Sequence, residues 1–379
     1  MKATQVLVAY LVVICALAAK TAYSLCNTGS GSRTLCRVCY YAPGSLSPTD
    51  LDPKLCTHIL FGFADVAKNN KLVPRHPDDV KKYAELAGLK GPNPNLKVML
   101  SVGGGDTFST MANSSETRHI FLTSAAHLLQ EYSFDGLDID WEFPTKLERE
   151  NLVLLLKEAR KMFNQVTAKA QSQLLLSTAV ASPRTLIDTS YDIPGLAMYV
   201  DFVNLMSYDY HVYQPYLPFT GHNSPLFHRK AEEGFFATLN TAWSAEYWVA
   251  SGMPRNKIMV GIPTYARTYI LLNPNMHGFD APVTGVGPRN GSVEYPWVCE
   301  FLRNNATSVF DDESQVPYAY KDNVWVAYDT FESIRSKVVW VKAKQFAGVM
   351  TFDLCNDDTN GSCNQGKFPL HNMIYNMLT

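Results

Sequence analysis

The 379-residue chain has almost no charge bias, with 33 Lys and Arg against 35 Asp and Glu and a formal net charge of −2. It has no run of Lys or Arg. Both absences argue against nucleic acid or an anionic membrane as a partner. Beyond the N-terminus, no stretch is long and apolar enough to form a membrane helix. There is no HExxH and no pair of CxxC motifs, so no metal centre is signalled. "GGG" at 103–105 has no GxGxxG or GK[ST] around it and reads as a tight turn, not a phosphate loop. No solenoid-period repeat, low-complexity linker or cofactor motif occurs. A composition of 46% apolar and 18% charged residues is that of a folded chain, with room for one large domain or two ordinary ones.

What is present begins at the N-terminus. Lys2 precedes an apolar run at 6–19, and small residues follow near Ala22 and Ser24. That pattern is a secretory signal peptide, here residues 1–24, and implies a secreted, extracellular protein. Secretion permits disulfides. Cys15 leaves with the signal, and seven cysteines remain: Cys26, Cys36, Cys39, Cys56, Cys299, Cys355 and Cys363. Seven is odd, so one is free or pairs between chains. Cys26 with Cys36 is suggested by proximity alone. Glycosylation sequons stand at Asn113, Asn290, Asn305 and Asn360. A monomer is expected.

Eight apolar runs rich in β-branched residues recur, at 35–42, 56–65, 96–103, 134–142, 174–181, 200–209, 257–264 and 346–353. Helical patterns lie between them, at 78–89, 116–132, 148–168, 231–249 and 330–344. The segment 148–168 places apolar residues at 152, 155, 156, 159, 162, 163 and 166, one face of a 3.6-residue period. Alternating strands and helices imply a parallel sheet, and eight strands imply an α/β fold of the closed (β/α)8 TIM-barrel type. The gap from 265 to 345 is too long for one loop and one helix. It includes the strand-like text "SQVPYAYKDNVWVAYD", so a small α+β subdomain is expected between strands seven and eight, at about 268–340. The rest of 25–379 reads as one barrel.

The fourth run, "FDGLDIDWEFP", carries the chemistry. Side chains alternate along a strand, so Asp138, Asp140 and Glu142 share one face and Leu137, Ile139 and Trp141 the other. If the apolar set meets the helices, the acids point into the barrel, and Glu142 stands at the C-terminal rim where barrel active sites lie. Two ionised carboxylates about 4 Å apart cost roughly 4 kcal/mol at an effective dielectric of 20. The cluster should therefore hold a proton at neutral pH, and its titration belongs to the group. A protonated acid at a barrel mouth is suited to general acid catalysis. The alternative is a polar layer satisfied by water and neighbours, which three acids on one face make a costly choice.

"DGLDIDWE" resembles the DxxDxDxE signature of family-18 glycoside hydrolases, the chitinases and their inactive lectin-like relatives. "LDPKLCTHILFGFADV", "LKVMLSVGG", "VDFVNLMSYDYH", "GHNSPL", "GIPTYAR", "VPYAYKDNVWVAYD" and "SCNQGKFPL" are similar to successive segments of animal chitinases, in order, over roughly 36–379. The resemblance implies a barrel with an α+β insertion after strand seven. It implies substrate-assisted retaining hydrolysis of β-1,4-linked N-acetylglucosamine in chitin or chito-oligosaccharides, an exception to the two-carboxylate scheme. Under it Glu142 is general acid and base, Asp140 orients the substrate acetamide, Asp138 shares a proton with Asp140, and Tyr208 bonds the acetamido oxygen. Met206, Asp209, Tyr265 and Arg267 line the sugar site, Gly104 and Gly105 border it, and Tyr40 and Phe352 lie at its floor. Tyr208 and Tyr265 as plain rim aromatics, and Arg267 as a structural ion-pair partner, stay open. The resemblance also implies the disulfides Cys39–Cys56 and Cys299–Cys363, leaving Cys355 odd.

The chain departs from that family at several rings. The loop after the first strand, "YYAPGSLSP", has no Trp. Gly105 in "GGGD" and Phe352 in "VMTFDL" stand where a Trp is usual, and Phe143 stands for a Tyr. Ring contacts contribute roughly 1 kcal/mol each by analogy with buried aromatic pairs, so weaker binding of long chains is expected. The leading expectation is a secreted endo-acting chitinase. The alternative is a chitinase-like lectin, against which the retained Glu142 counts.

Overall fold

The computed structural model describes Cys26, residues 35–167 and residues 173–379. The segment 1–24 expected to be a signal peptide and the end of the predicted 148–168 helix lie outside the described residues. Eight strands run β1 (Cys36–Tyr41), β2 (His58–Val66), then, after the short β3 (Leu72–Pro74), β4 (Lys97–Gly104), β5 (Gly136–Trp141), β6 (Leu175–Ala181), β7 (Phe202–Met206) and β8 (Ile258–Pro263). The last barrel strand, Gly348–Phe352, pairs with both β8 and β1, and β1 pairs with β2, all in parallel. With β3 set aside, the sheet is therefore a closed eight-stranded parallel barrel. Each expected apolar run became one barrel strand.

The two faces of β5 divide as its parity requires. Leu137, Ile139 and Trp141 pack outwards into one large cluster with Leu152, Leu155, Leu156, Ala159 and Phe163. Those five lie on the helix Arg149–Thr167, at three- and four-residue spacing. The barrel interior holds a separate cluster that includes Val38, Leu60, Met99, Phe202, Met259 and Met350. Fully burying such a side chain contributes about 1.5–3 kcal/mol.

Between β8 and the last barrel strand lies a second sheet. Its strands are β9 (Tyr265–Leu271), β10 (Val283–Val286), β11 (Ser292–Glu294), β12 (Thr307–Asp311), β13 (Val316–Lys321) and β14 (Val324–Ala327). They pair antiparallel, in the order β10-β9-β14-β13-β12 with β11 also on β9. The last barrel strand is β15 (Gly348–Phe352) in chain order. The helix Phe331–Ala343 precedes it and belongs to the outer layer, with Ile334, Val338 and Val341 in the large cluster.

One helix expectation needs correction. Of 231–249, only Thr241–Ala250 is α-helical. Gly234 takes a left-handed φ of 57°, which breaks the run, and the Asn240 side chain caps a fresh start by accepting from Trp243 N. Disulfides join Cys26 to Cys36, Cys39 to Cys56 and Cys299 to Cys363, and Cys355 is free. The four sequon asparagines, Asn113, Asn290, Asn305 and Asn360, are all exposed. No helix among the described residues is long and apolar enough to cross a membrane.

The layers meet at a buried ion pair. Lys337 Nζ donates to Asp329 Oδ1 and Oδ2 at 2.7 and 2.8 Å and to Ser224 Oγ at 3.0 Å. Ser224 Oγ in turn donates to the Ser207 carbonyl at 2.7 Å, just past β7. Lys337→Met leaves a buried, unanswered carboxylate and should lower stability by about 3–5 kcal/mol. Guanidinium unfolding should show this, and adding Asp329→Asn to Lys337→Met should recover most of the loss.

Candidate active site

Asp138 is fully buried, and four donors converge on it. Tyr40 Oη and Ser101 Oγ donate to Oδ2, each at 2.7 Å. Ser177 Oγ and Asn204 Nδ2 donate to Oδ1 at 2.6 and 3.2 Å. Two of these follow from register alone, because Ser101 and Ser177 are the lateral partners of Asp138 on β4 and β6. Burial pushes this carboxyl above its ordinary range, and the donors pull it part of the way back.

Asp140 lies one pleat nearer the rim and has no such cradle. It is 4% exposed, and its Oδ1 is buried without a hydrogen-bond partner. Burial, then the charges of Glu142 and Asp138, push its carboxyl well above the usual range. Of the three carboxyls, Asp140 is thus the one pushed furthest towards its protonated form. No hydrogen bond joins Asp138 to Asp140, because donors from other strands occupy the Asp138 oxygens. Glu142, just beyond the end of β5, opens to solvent at the barrel mouth. Its carboxyl is raised by the cleft walls and then by Asp209.

A cavity of about 370 Å³ opens over these acids. Asp140 and Glu142 line it, as do Met206, Tyr208 and Asp209 from β7 and the loop after it. Its floor is aromatic. Phe352 lies 5.5 Å from Tyr40, 6.1 Å from Tyr208 and 6.4 Å from both Tyr265 and Phe63, centroid to centroid. The second sheet supplies the far wall through Tyr265, Arg267 and Ser292.

Asp209 organises that wall. Its φ of 58° is left-handed, a conformation Asp tolerates. The backbone is held there by Asp209 N donating to Asn223 Oδ1 at 2.9 Å. Its carboxylate accepts from Tyr265 Oη at 2.8 Å and from Arg267 Nε and Nη2, both at 2.7 Å. Arg267 is thus an ion-pair partner and a lining residue together. Tyr208 Oη lies against Met350 Sδ at 3.8 Å and donates to no carboxylate.

Gly104 and Gly105 are not on the cavity lining. They act on the backbone beside it. Gly104 O accepts from Glu142 N at 3.0 Å, and a Cβ on Gly105 would meet the Glu142 carbonyl at 3.2 Å. Phe143, noted in the sequence for its lost hydroxyl, is on the lining. Sequence reasoning did not find Phe63, Ser182, Pro183, Ser292 or Asn356, which also line it. Parity hid Phe63: Phe61, two residues earlier on β2, packs in the outer cluster, and a register shift between Gly62 and Ala64 turns Phe63 to the interior one. Ser292 and Asn356 come from distant segments and leave no local signal. The donors Ser101 and Asn204 left one, as lone polar residues inside apolar runs, whereas Ser177 stands beside Thr178.

A profile of glycosyl hydrolases family 18 matches residues 37–357. Chitotriosidase-1 of Mus musculus is 36% identical over 340 residues, which is 85% of this chain and 72% of that protein. The crystal structure of TsES1, an immunomodulatory active chitinase from Trichuris suis, has a TM-score of 0.87 at 34% identity and covers 91% of this chain and 100% of that one. Human YKL-39, a pseudo-chitinase with retained chitooligosaccharide binding, has a TM-score of 0.87 at 35% identity, over 91% of this chain and 99% of that one.

A carboxyl whose pKa is raised by folding stabilises the fold fully only below its unfolded pKa, and loses that contribution as pH rises. Asp140 is such a group. Asp140→Asn should therefore raise the melting temperature at pH 7–8, by an amount equivalent to about 1 kcal/mol or more. The gain should vanish near pH 4, where unfolded Asp is itself protonated. Melting curves of both proteins across that range check this. A gain independent of pH would mean that folding does not raise the proton affinity of Asp140.

Proposed function

The chain belongs to glycosyl hydrolase family 18, and we propose that it is a secreted chitinase that cleaves β-1,4-linked N-acetylglucosamine with the substrate's own acetamide as nucleophile. One observation carries the reading. Glu142, with its proton affinity raised, stands at the open rim one pleat above Asp140, whose Oδ1 has no partner, over a floor of rings.

In the first step the acetamido carbonyl oxygen attacks the anomeric carbon. The bond to the leaving oxygen breaks, and that oxygen takes the Glu142 proton. The sugar is left as an oxazolinium ion. Before this the proton that Asp140 carries in the free cluster passes to Glu142, so that Asp140 Oδ1 accepts from the acetamido N–H and the positive charge forms beside an ionised Asp140. Asp138, held by four donors, adds a fixed negative potential below. Tyr208 lies within the cavity, where a turn of its hydroxyl towards the acetamide would aid alignment. In the second step water attacks the anomeric carbon from the vacated face, Glu142 takes its proton, and the bond from the anomeric carbon to the acetamido oxygen breaks, restoring the acetamide. Two inversions give net retention. Arg267 and Asp209 hold the far wall, and the rings of Tyr40, Tyr265 and Phe352 shape the sugar's bed. Extracellular residence and glycans on the exposed sequons belong to the same reading, and three disulfides fit an oxidising compartment.

A chitinase-like lectin is the second reading. Gly105 and Phe352, where larger rings are usual in the family, and the similarity to a pseudo-chitinase favour it. Hydrolysis of a chitobiose glycoside with a fluorescent leaving group separates the two. Glu142→Gln should cut turnover by about 10²–10⁴-fold, with oligosaccharide affinity nearly unchanged. Wild-type protein with no turnover from pH 3 to 8 would sink the hydrolase reading and leave the lectin. Phe352→Trp should tighten oligosaccharide binding about fivefold, equivalent to roughly 1 kcal/mol of ring contact. An unchanged Kd by calorimetry would show that the smaller ring does not limit binding.

A further inference from the structure

A second cavity, of about 350 Å³, lies beside the first, where the loop after β7 meets the second sheet. The two share a wall and no lining residue. Asp209 faces the first, and its neighbours Tyr210 and His211 face the second. The walls of the second are pinned. Thr220 N donates to Ala281 O at 2.9 Å, Asp280 N to Thr220 O at 3.0 Å, and Leu226 N to Ser314 O at 2.9 Å. Its volume is within the range of small-ligand sites.

Its chemistry has two parts. Phe219, Phe236 and Phe279 line it, and the first two are 40% and 48% exposed. Half-exposed rings at the mouth of a cavity offer a flat apolar surface to a ligand. The charged groups are acidic in excess. Arg229 lies over the Phe279 ring at 4.3 Å. Its Nη2 donates to Asp280 Oδ2 at 2.8 Å and its Nε to Glu232 Oε1 at 3.1 Å. Glu233 has no ion-pair or hydrogen-bond partner among the described residues. Three carboxylates against one guanidinium leave an excess of two negative charges on the lining. Burial pushes His211 and His222 down to about 4, so both are neutral at pH 7 and do not offset it.

We propose that this cavity is a second saccharide site, and that it takes a glucosamine unit, a sugar whose nitrogen has lost its acetyl group and carries an ammonium. The apolar face of the ring lies on Phe219 and Phe236. The ammonium meets Glu233 and the aromatic faces, an arrangement that attracts cations. The inference rests on the reading of the first cavity as a site for the acetylated polymer. A deacetylated unit has no acetamido oxygen and cannot react there, so a mixed chain could be held by its charged units in one cavity and cut at its acetylated units in the other.

The test is calorimetric titration of the full chain, in a Glu142→Gln background so that no ligand is hydrolysed, with the tetramer of glucosamine. Glu233→Gln and Phe236→Ala are titrated beside it, with melting curves to confirm that each is folded. Saturable millimolar or tighter binding is expected. Each substitution should weaken it by about fivefold or more, and added salt should weaken it too. Saturating N-acetylchitotetraose should leave it unchanged. Absence of saturable binding overturns the proposal. So does wild-type affinity in either variant, or displacement by the acetylated tetramer, which would place the ammonium in the first cavity beside Asp140. Turnover of the chitobiose glycoside by the wild-type chain is read separately, so failure of the hydrolase reading and failure of this one give different results.

Discussion

The structure depends on keeping one carboxylate buried at the axis of the barrel. Asp138 has no solvent access, and an isolated charge there would be strongly unfavourable. Its four donors come from β1, β4, β6 and β7, so satisfying one side chain requires four strands other than its own in the right register. Barrel closure and site assembly are thus one event. A slip of one residue in β4 or β6 would turn Ser101 or Ser177 outwards and leave Asp138 uncompensated.

The same constraint sorts the acids by depth. Asp138 accepts from four groups, Asp140 has a buried oxygen with no partner, and Glu142 meets solvent. Charge is tolerated at the bottom because donors surround it. Proton affinity rises in the middle because burial, then the charges of Glu142 and Asp138, act on a carboxyl that lacks such a cradle. At the rim a carboxyl can exchange protons with what enters. Three chemically similar side chains on alternate residues acquire different states from position alone.

The far wall depends on the second sheet. Asp209 adopts a left-handed backbone because Asn223 holds it, and its carboxylate is fixed by Tyr265 and Arg267 from β9. Because Arg267 and Ser292 are register partners on β9 and β11, the inserted sheet is continuous with the wall of the first cavity. Its packing against the loop after β7 also creates the second cavity. The acids and the walls around them are therefore carried by different parts of the molecule. The acids lie on a barrel strand, and much of the surface around them lies on the loops and the insertion.

Strand order, barrel type and the acid triad were legible in the sequence because each rests on local period. Eight apolar runs, and alternation along "FDGLDIDWEFP", need no knowledge of distant residues. Short helices such as Asp106–Ala112 and Arg184–Ser190 were not legible, since a seven-residue element shows too little period to detect. The break at Gly234 inside 231–249 was overridden by an otherwise helical composition. Of the acids, the sequence determined their shared face. Only the tertiary structure decided which one is cradled, which is pushed furthest towards protonation and which meets solvent. Those properties depend on Tyr40, Ser101, Ser177 and Asn204, separated from Asp138 by 37 to 98 residues along the chain and brought to it by closure of the barrel.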